Sequence, residues 1–144
     1  MQMEQNFQKA AQFIRSAAAQ GVELVVLPEY HLSSWRPKEP GFLELGEQAE
    51  TYVKKYQELA KECNICVVPG TILESHRDAE REEDRLLNVA YFIDNKGEVI
   101  GKYIKKNLWY ARPNRCLIRA ERKFTSMIKG PREGTPRLLR PGSA

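Results

Sequence analysis

The segment GVELVVLPEY, residues 21–30, decides the fold class. It opens with a glycine that can end a helix and continues into the apolar run ELVVL. Pro28 then stops the run, because proline has no backbone N–H to give to a strand ladder. A short β-branched run of this kind predicts a strand buried in a sheet. Glu29 follows directly, at the end of that strand, where α/β proteins collect their functional groups.

Helices are predicted on both sides of this strand. From Glu4 to Gln20, apolar residues recur at helical spacing and form one stripe, and Gly21 provides the stop. A second stripe predicts a second helix from about Gly46 to Glu62. Residues 31–42 contain prolines and a glycine and are expected to form a loop. The residues of the first stripe are Phe7, Ala10, Ala11, Phe13, Ile14, Ala17 and Ala18.

The rest of the patterned sequence predicts strands. The run ICVVP, residues 65–69, is a second buried strand that continues through Gly70 into TILE. Residues 75–86, SHRDAEREEDRL, are almost all charged or polar, and we expect a solvated surface loop there. NVAYFID and EVIGKYIKK flank Asn95-Lys96-Gly97, a pattern typical of an antiparallel hairpin. This order of elements predicts an α/β fold with both helices on the same face of one sheet.

The net charge of +4 is unevenly distributed along the chain. Residues 110–144 contain nine basic and two acidic side chains, a balance of +7, so residues 1–109 carry −3. The same segment holds four of the eight prolines and few large apolar residues. Such a composition buries too little apolar surface to offset its ordering entropy. We therefore expect a domain over residues 1–109 and a disordered basic tail over residues 110–144.

The three cysteines are an odd count, which argues against a disulfide framework and predicts a reducing, cytoplasmic compartment. Cys63 and Cys66 form a C-x-x-C motif, for which a zinc or redox role is the alternative. There is no second cysteine pair, and His31 and His76 are not spaced as ligands. The motif also runs from a helix end into a strand, whereas a thioredoxin-type motif opens a helix. We interpret both as ordinary, mostly buried thiols and expect neither a metal nor a cofactor.

Two short segments carry residues suited to catalysis. In VVLPEY, the carboxylate of Glu29 follows a buried strand, and in GKYIKKNLW, Lys105 and Lys106 end an apolar strand. Each segment alone has an ordinary structural explanation. A glutamate after a strand is commonly a cap or a surface charge, and a lysine pair at a strand end is commonly solvated.

Taken together and in this order, the segments resemble the nitrilase or carbon–nitrogen hydrolase superfamily over about residues 2–109. EQNFQKAAQFIRSAAAQGVELVVLPEY is similar to that family's first helix, second strand and glutamate-bearing turn. NICVVPGTILE is similar to the next strand, and NVAYFIDNKGEVIGKYIKKNLW is similar to the hairpin that delivers the catalytic lysine. The tripeptide NLW, residues 107–109, resembles the corresponding sequence of relatives often found in fungi.

The resemblance implies a fold and a chemistry. The fold is a partial nitrilase-like α-β-β-α sandwich, with helices packed on a mixed sheet. In the family, a glutamate acts as general base, a lysine stabilises the tetrahedral oxyanion, and a cysteine thiol attacks a nitrile, amide or carbamoyl carbon. By position, Glu29 corresponds to the general base. Lys105, two residues after Tyr103, corresponds to the oxyanion stabiliser, with Lys106 as its solvated neighbour.

The chain departs from the family pattern in three places. The strand that normally precedes the first helix is missing, and the C-terminal half is expected to be absent. YARPNR stands where the family has a glutamate-containing turn. Cys116 lies only eleven residues beyond Lys105 and lacks the preceding strand, so we expect no nucleophilic cysteine. A frameshift, a retained intron or a misplaced splice junction after Trp109 would produce this change, and a genuine unrelated tail is the alternative.

Three functions are weighed on this basis. The first is a fragment of a hydrolase of non-peptide C–N bonds, inactive as written, whose full-length relatives act on small nitriles or amides. The second is a catalytically dead regulatory paralogue that binds a partner. The third is a basic nucleic-acid-binding module, but the tail offers only Tyr110 and Phe124 for base stacking, so no nucleic acid is expected. No membrane partner is expected, and assembly into a homo-oligomer is left open.

Overall fold

The computed structural model describes residues 2–78, 83–106 and 138–139. Helices and strands alternate in the first half of the described chain and strands dominate the second, which confirms the α/β class. In chain order, the elements are α1 (Met3–Ala19), β1 (Leu24–Val26), a 3₁₀ helix (Leu43–Gln48), α2 (Ala49–Cys63), β2 (Cys66–Val68), β3 (Thr71–Asp78), β4 (Glu83–Ile93), β5 (Val99–Ile104) and β6 (Leu138–Leu139).

The strands form one mixed sheet built around β4. β1 and β2 are parallel, whereas β4 is antiparallel to β2, β3 and β5. Ile93 of β4 pairs with Val67 on one side and Val99 on the other, so β2 and β5 lie on opposite edges of β4. Ala90 likewise pairs with Thr71 of β3 and with a residue of β5. The chain therefore passes from β2 to β3 along a single edge of β4, as the predicted continuation through Gly70 requires.

The two helices pack against each other on one face of this sheet. The ring of Phe7 in α1 lies 5.1 Å from the ring of Tyr56 and 5.9 Å from that of Tyr52, both in α2. Rings on opposite faces could not touch across a sheet, so both helices lie on the same face, as predicted. The helices and the sheet share one hydrophobic core, whose fully buried members include Ile14, Tyr56, Ile65, Val67, Val89 and Ile93.

The prediction of a surface loop over residues 75–86 is wrong. β3 continues to Asp78 and β4 begins at Glu83, so most of this segment is a two-stranded ladder. The apolar pair Ile72 and Val89 fixes the register, and the ladder then continues through Ser75 and Leu86. Leu86 is buried in the core, and beyond it backbone pairing extends the ladder to Asp78 and Glu83.

Two residues of the predicted basic tail fall within the described part of the chain. Leu138 and Leu139 form β6, which pairs in parallel with Leu24 and Val25 at the edge of β1. The edge of β1 presents unpaired backbone groups, and two consecutive leucines can use them. The rest of the predicted basic tail, residues 110–137 and 140–144, lies outside the described residues.

No helix in the described part of the chain has the length and hydropathy needed to cross a membrane.

Candidate active site

Glu29 is held on a tight turn at the end of β1. The Leu27 N–H donates to the Val68 carbonyl at 2.9 Å, which keeps the chain beside β2. Tyr30, the residue after Glu29, adopts φ = 57°, a left-handed conformation that few residues other than glycine occupy. Its backbone N–H donates to the Thr71 hydroxyl at 3.3 Å. The turn carries Glu29 away from the strand ladder while remaining tied to the start of β3.

Gly70 allows this turn to pack directly on the β2–β3 junction. It has φ = +71°, and a Cβ placed on it would lie 2.2 Å from the Pro28 carbonyl oxygen. Real Cβ atoms essentially never approach an oxygen so closely, so the position accepts only glycine without a backbone shift. Gly70, in the sequence Pro69-Gly70-Thr71, is therefore part of the support for the Glu29 turn.

Lys105 reaches the same place from the other side of β4. β5 pairs Ile104 with Val89, so the next pair in this antiparallel register is Lys105 with Asn88. The Lys105 N–H donates to the Asn88 carbonyl at 2.9 Å, which extends the ladder by that one residue. Directly opposed residues of an antiparallel pair project their side chains from the same face of the sheet. Both side chains accordingly meet Glu29.

Glu29 accepts two hydrogen bonds on one of its carboxylate oxygens. Lys105 Nζ lies 2.7 Å from Glu29 Oε1, and Asn88 Nδ2 lies 2.8 Å from the same oxygen. The second Asn88 amide hydrogen goes to the Tyr30 hydroxyl at 2.7 Å. The side chains of Glu29 and Lys105 are 42% and 32% exposed, so solvent and small molecules can reach the pair. Glu29 Oε2 has no partner within the described residues.

The surroundings keep Glu29 ionised and Tyr30 neutral. Partial burial acts to raise the pKa of Glu29, but the hydrogen bonds from Lys105 and Asn88 outweigh it and hold the pKa below its usual value. Burial and the neighbouring Glu29 charge raise the pKa of Tyr30 to about 12. At neutral pH the site therefore contains a carboxylate, an uncharged phenol and an ammonium group.

A half-buried histidine, His31, supports the turn from the helix side. His31 Nδ1 lies 3.2 Å from the Pro28 carbonyl oxygen, and Nε2 lies 2.6 Å from the Tyr56 hydroxyl. The carbonyl can only accept, so Nδ1 carries the hydrogen and Nε2 accepts from Tyr56. Burial lowers the pKa of His31 to about 4, so the imidazole is neutral at physiological pH.

The structure brings the two predicted site residues together and adds three that the sequence interpretation missed. Glu29 and Lys105 form the ion pair. Asn88 donates to Glu29 and to Tyr30, and His31 contacts the Pro28 carbonyl at the base of the turn. Asn88 could have been noticed, because it is an amide at the start of the apolar run NVAYFI. Tyr30 ends the segment VVLPEY and His31 begins the predicted loop, and neither showed a comparable pattern.

The cysteines occupy other parts of the molecule. Cys63 ends α2 and Cys66 begins β2, and both are only partly buried rather than mostly buried as predicted. Burial raises the pKa of both thiols, so neither is an activated thiolate. Among the described residues no group of three or more potential ligands is placed to hold a metal ion. Cys116 lies outside the described residues.

Comparisons with known proteins identify relatives of this chain. An omega-amidase from Homo sapiens is 33% identical over 105 residues, covering 72% of this chain and 35% of its own length. A protein named nitrilase homolog 2 from Dictyostelium discoideum is 33% identical over 106 residues, covering 74% of this chain and 31% of its own. The chain thus spans about a third of the length of these curated relatives.

Solved structures show the same fold. The NitFhit protein of C. elegans superposes with a TM-score of 0.62 at 28% identity, covering 74% of this chain and 25% of that one. An amidase from Nesterenkonia sp. AN1, with the acetamide moiety of fluoroacetamide added covalently at its active-site cysteine, gives a TM-score of 0.68. At 16% identity, over 85% of this chain and 44% of that one, this likeness concerns the fold alone.

The family model described as carbon-nitrogen hydrolase matches residues 1–137 of the chain, which is most of its length. The chain belongs to the carbon–nitrogen hydrolase family.

Proposed function

We propose that this chain provides the general base and the oxyanion-stabilising cation of a hydrolase site for non-peptide C–N bonds in small amides or nitriles. The single observation that carries the proposal is the 2.7 Å ion pair between Glu29 and Lys105, formed where β1 and β5 end. The names of the relatives, omega-amidase and nitrilase, support this substrate class.

The proposed base is the oxygen of Glu29 that its neighbours leave open. Oε1 is occupied by Lys105 and Asn88, whereas Oε2 has no partner in the part of the chain that the structure describes. An ionised carboxylate with one open oxygen can take the proton of an attacking nucleophile. Its lowered pKa makes it a weak base while Lys105 remains bound to it.

Lys105 is suited to respond to negative charge that appears during the reaction. Its ammonium group is bound to Glu29 in the resting site, and it retains further N–H donors. When a substrate oxygen or nitrogen becomes negative, the ammonium group interacts with it more strongly than with the neutral substrate, which lowers the barrier. Sharing Lys105 with this new charge also weakens its hold on Glu29, so the basicity of the carboxylate rises as it accepts the proton.

Neither described cysteine is placed to serve as the nucleophile. Cys66 is aligned with Leu24 of β1, five residues before Glu29. Leu24 begins β1 and Glu29 follows the end of that strand, so Cys66 lies at the opposite end of the parallel pair from Glu29. Cys63 precedes Cys66 at the end of α2. We therefore propose that the 144-residue chain, by itself, does not hydrolyse amides or nitriles.

An assay of ammonia release from a panel of short amides and nitriles tests this proposal. We expect no release above the buffer rate, because without a thiol beside the base no covalent intermediate forms. Turnover that disappears in Cys116→Ala would contradict the proposal and make Cys116 the nucleophile. In parallel, acetamide is titrated into the chain and NMR signals of the Glu29 and Lys105 side chains are followed. Shifts in the native chain that are lost in Lys105→Met are expected, and the absence of shifts would count against a substrate site.

Genomic sequence separates this proposal from a partner-binding paralogue. Another reading frame after the Trp109 codon that encodes a cysteine at the end of an apolar strand would identify a hydrolase gene. If no such frame exists, a catalytically dead regulatory protein becomes the better explanation. A cytoplasmic location, assembly into a homo-oligomer and the similarity to fungal relatives stay predictions.

A further inference from the structure

The side chain of Asn88 is more deeply buried than either member of the ion pair it contacts. Only 2% of the residue is exposed, whereas the side chains of Glu29 and Lys105 are 42% and 32% exposed. Asn88 lies in β4, one residue beyond the last pair of the β4–β5 ladder. A polar amide in this position has to be explained by its contacts, since burial of an amide is costly unless it is hydrogen-bonded.

The contacts of Asn88 reach every group of the proposed site. Its two amide hydrogens go to Glu29 Oε1 and to the Tyr30 hydroxyl, at 2.8 and 2.7 Å. Its backbone carbonyl accepts the Lys105 N–H at 2.9 Å. One residue therefore fixes the carboxylate through its side chain and the start of the lysine side chain through its backbone.

The orientation of the amide follows from its partners. If the amide were turned over, Oδ1 would face the Glu29 carboxylate, and two acceptors would repel each other. In the observed orientation, Oδ1 is buried and has no hydrogen-bond partner within the described part of the chain. A buried acceptor without a partner carries a desolvation cost. The observed orientation therefore leaves Oδ1 without a partner, but it directs both N–H groups of the amide toward the Glu29 turn.

We propose that Asn88 is a positioning residue that holds Glu29 with Oε1 engaged and Oε2 open toward substrate. The Tyr30 hydroxyl serves as the second anchor, which stops the amide from rotating away. This inference rests on the proposed function for the meaning of the open oxygen. The positioning itself can be measured without any catalytic activity, so the two can fail separately.

The test is an acid titration of the Glu29 carboxyl by carbon-detected NMR in the full chain and in Asn88→Leu. Leucine keeps approximately the volume of the side chain and removes both N–H donors, while the backbone carbonyl that binds Lys105 stays. We expect the pKa of Glu29 to rise by about one unit, the order expected for the loss of one hydrogen bond to a charged group. Asn88→Asp should raise it further, because a second carboxylate would face Glu29.

Two further variants make the result decisive. Asn95→Leu is the matched control, because that amide binds Asn64 in an exposed position away from the site, and it should leave the pKa of Glu29 unchanged. Tyr30→Phe removes only the second anchor and should raise the pKa by less than Asn88→Leu. If Asn88→Leu fails to fold, Tyr30→Phe and Asn88→Asp decide the question.

An unchanged Glu29 pKa in a folded Asn88→Leu variant, or an equal rise in Asn95→Leu, would overturn the assignment. A rise confined to the Asn88 and Tyr30 variants, combined with no response to acetamide, would keep the positioning role and reject the substrate site.

Discussion

The two sides of the Glu29 turn use opposite physical chemistry. Toward the helices, His31 is a neutral imidazole bound to Tyr56, whose side chain is completely buried. Toward solvent, Glu29 is an ionised carboxylate bound to an ammonium group, with both side chains partly exposed. These two environments are separated by a single residue, Tyr30. Burial lowers the pKa of His31 on the helix side, whereas hydrogen bonds from Lys105 and Asn88 outweigh burial and hold the pKa of Glu29 low on the solvent side.

We infer that the His31 side of the turn contributes to folding stability, whereas the Glu29 side provides the reactive groups. The contact between His31 and the buried Tyr56 fixes the Pro28 carbonyl and hence the base of the turn. The exposed pair is accessible, and ion pairs of this kind contribute only about 0–1 kcal/mol to folding. Substitutions on the inner side should therefore act on the free energy of unfolding, whereas substitutions on the outer side should act on the titration of Glu29.

The largest effect is expected where the turn meets the β2–β3 junction. Gly70→Ala combines a left-handed backbone with a contact of 2.2 Å to the Pro28 oxygen, so we expect a loss of about 3 kcal/mol or more in the free energy of unfolding. Gly21→Ala is the matched control, because Gly21 also has positive φ, +76°, but open space around the added Cβ. It should cost about 1 kcal/mol. Urea denaturation of both variants is the measurement, and equal losses would show that the turn does not pack on Gly70.

The titration of His31, on the helix side of the turn, should make the free energy of unfolding depend on pH. His31 has its folded-state pKa lowered from 6.5 to about 4, so the unfolded chain binds the extra proton first as pH falls. Stability is therefore lost between about pH 6.5 and pH 4, by roughly 3 kcal/mol in total, and is fully present above this range. His31→Gln should flatten this part of the stability curve, whereas His76→Gln, at an exposed position of β3, should leave it unchanged. The same slope in both variants would contradict a neutral His31 in the folded chain.

Hydrophobic pattern predicted the parts of the fold that local sequence controls. The run before Pro28 located β1 and therefore Glu29, and the hairpin around Asn95-Lys96-Gly97 located β5 and therefore Lys105. The charged segment of residues 75–86 was mispredicted because its strands depend on a register set by partners elsewhere in the chain. Its own composition gives no apolar alternation from which to infer that register.

The hydrophobic pattern of the sequence could not predict which side chains contact each other in the site. Asn88 meets Glu29 across 59 residues of sequence, and His31 meets Tyr56 across 25. Such contacts exist only after strands and helices have packed, so no local window contains them. The resemblance to the hydrolase family predicted Glu29 and Lys105, but it did not predict the contacts that Asn88 makes with Glu29 and Tyr30.

Lys105, and not its neighbour Lys106, is the cation bound to Glu29. The most direct measurement is the pKa of the Glu29 carboxyl in the native chain, in Lys105→Met and in Lys106→Met. We expect a pKa below the usual value for a glutamate in the native chain and in Lys106→Met, and a clear rise in Lys105→Met, where the principal stabilising partner is gone. A Glu29 pKa that rises with Lys106→Met instead, or with neither substitution, would contradict it.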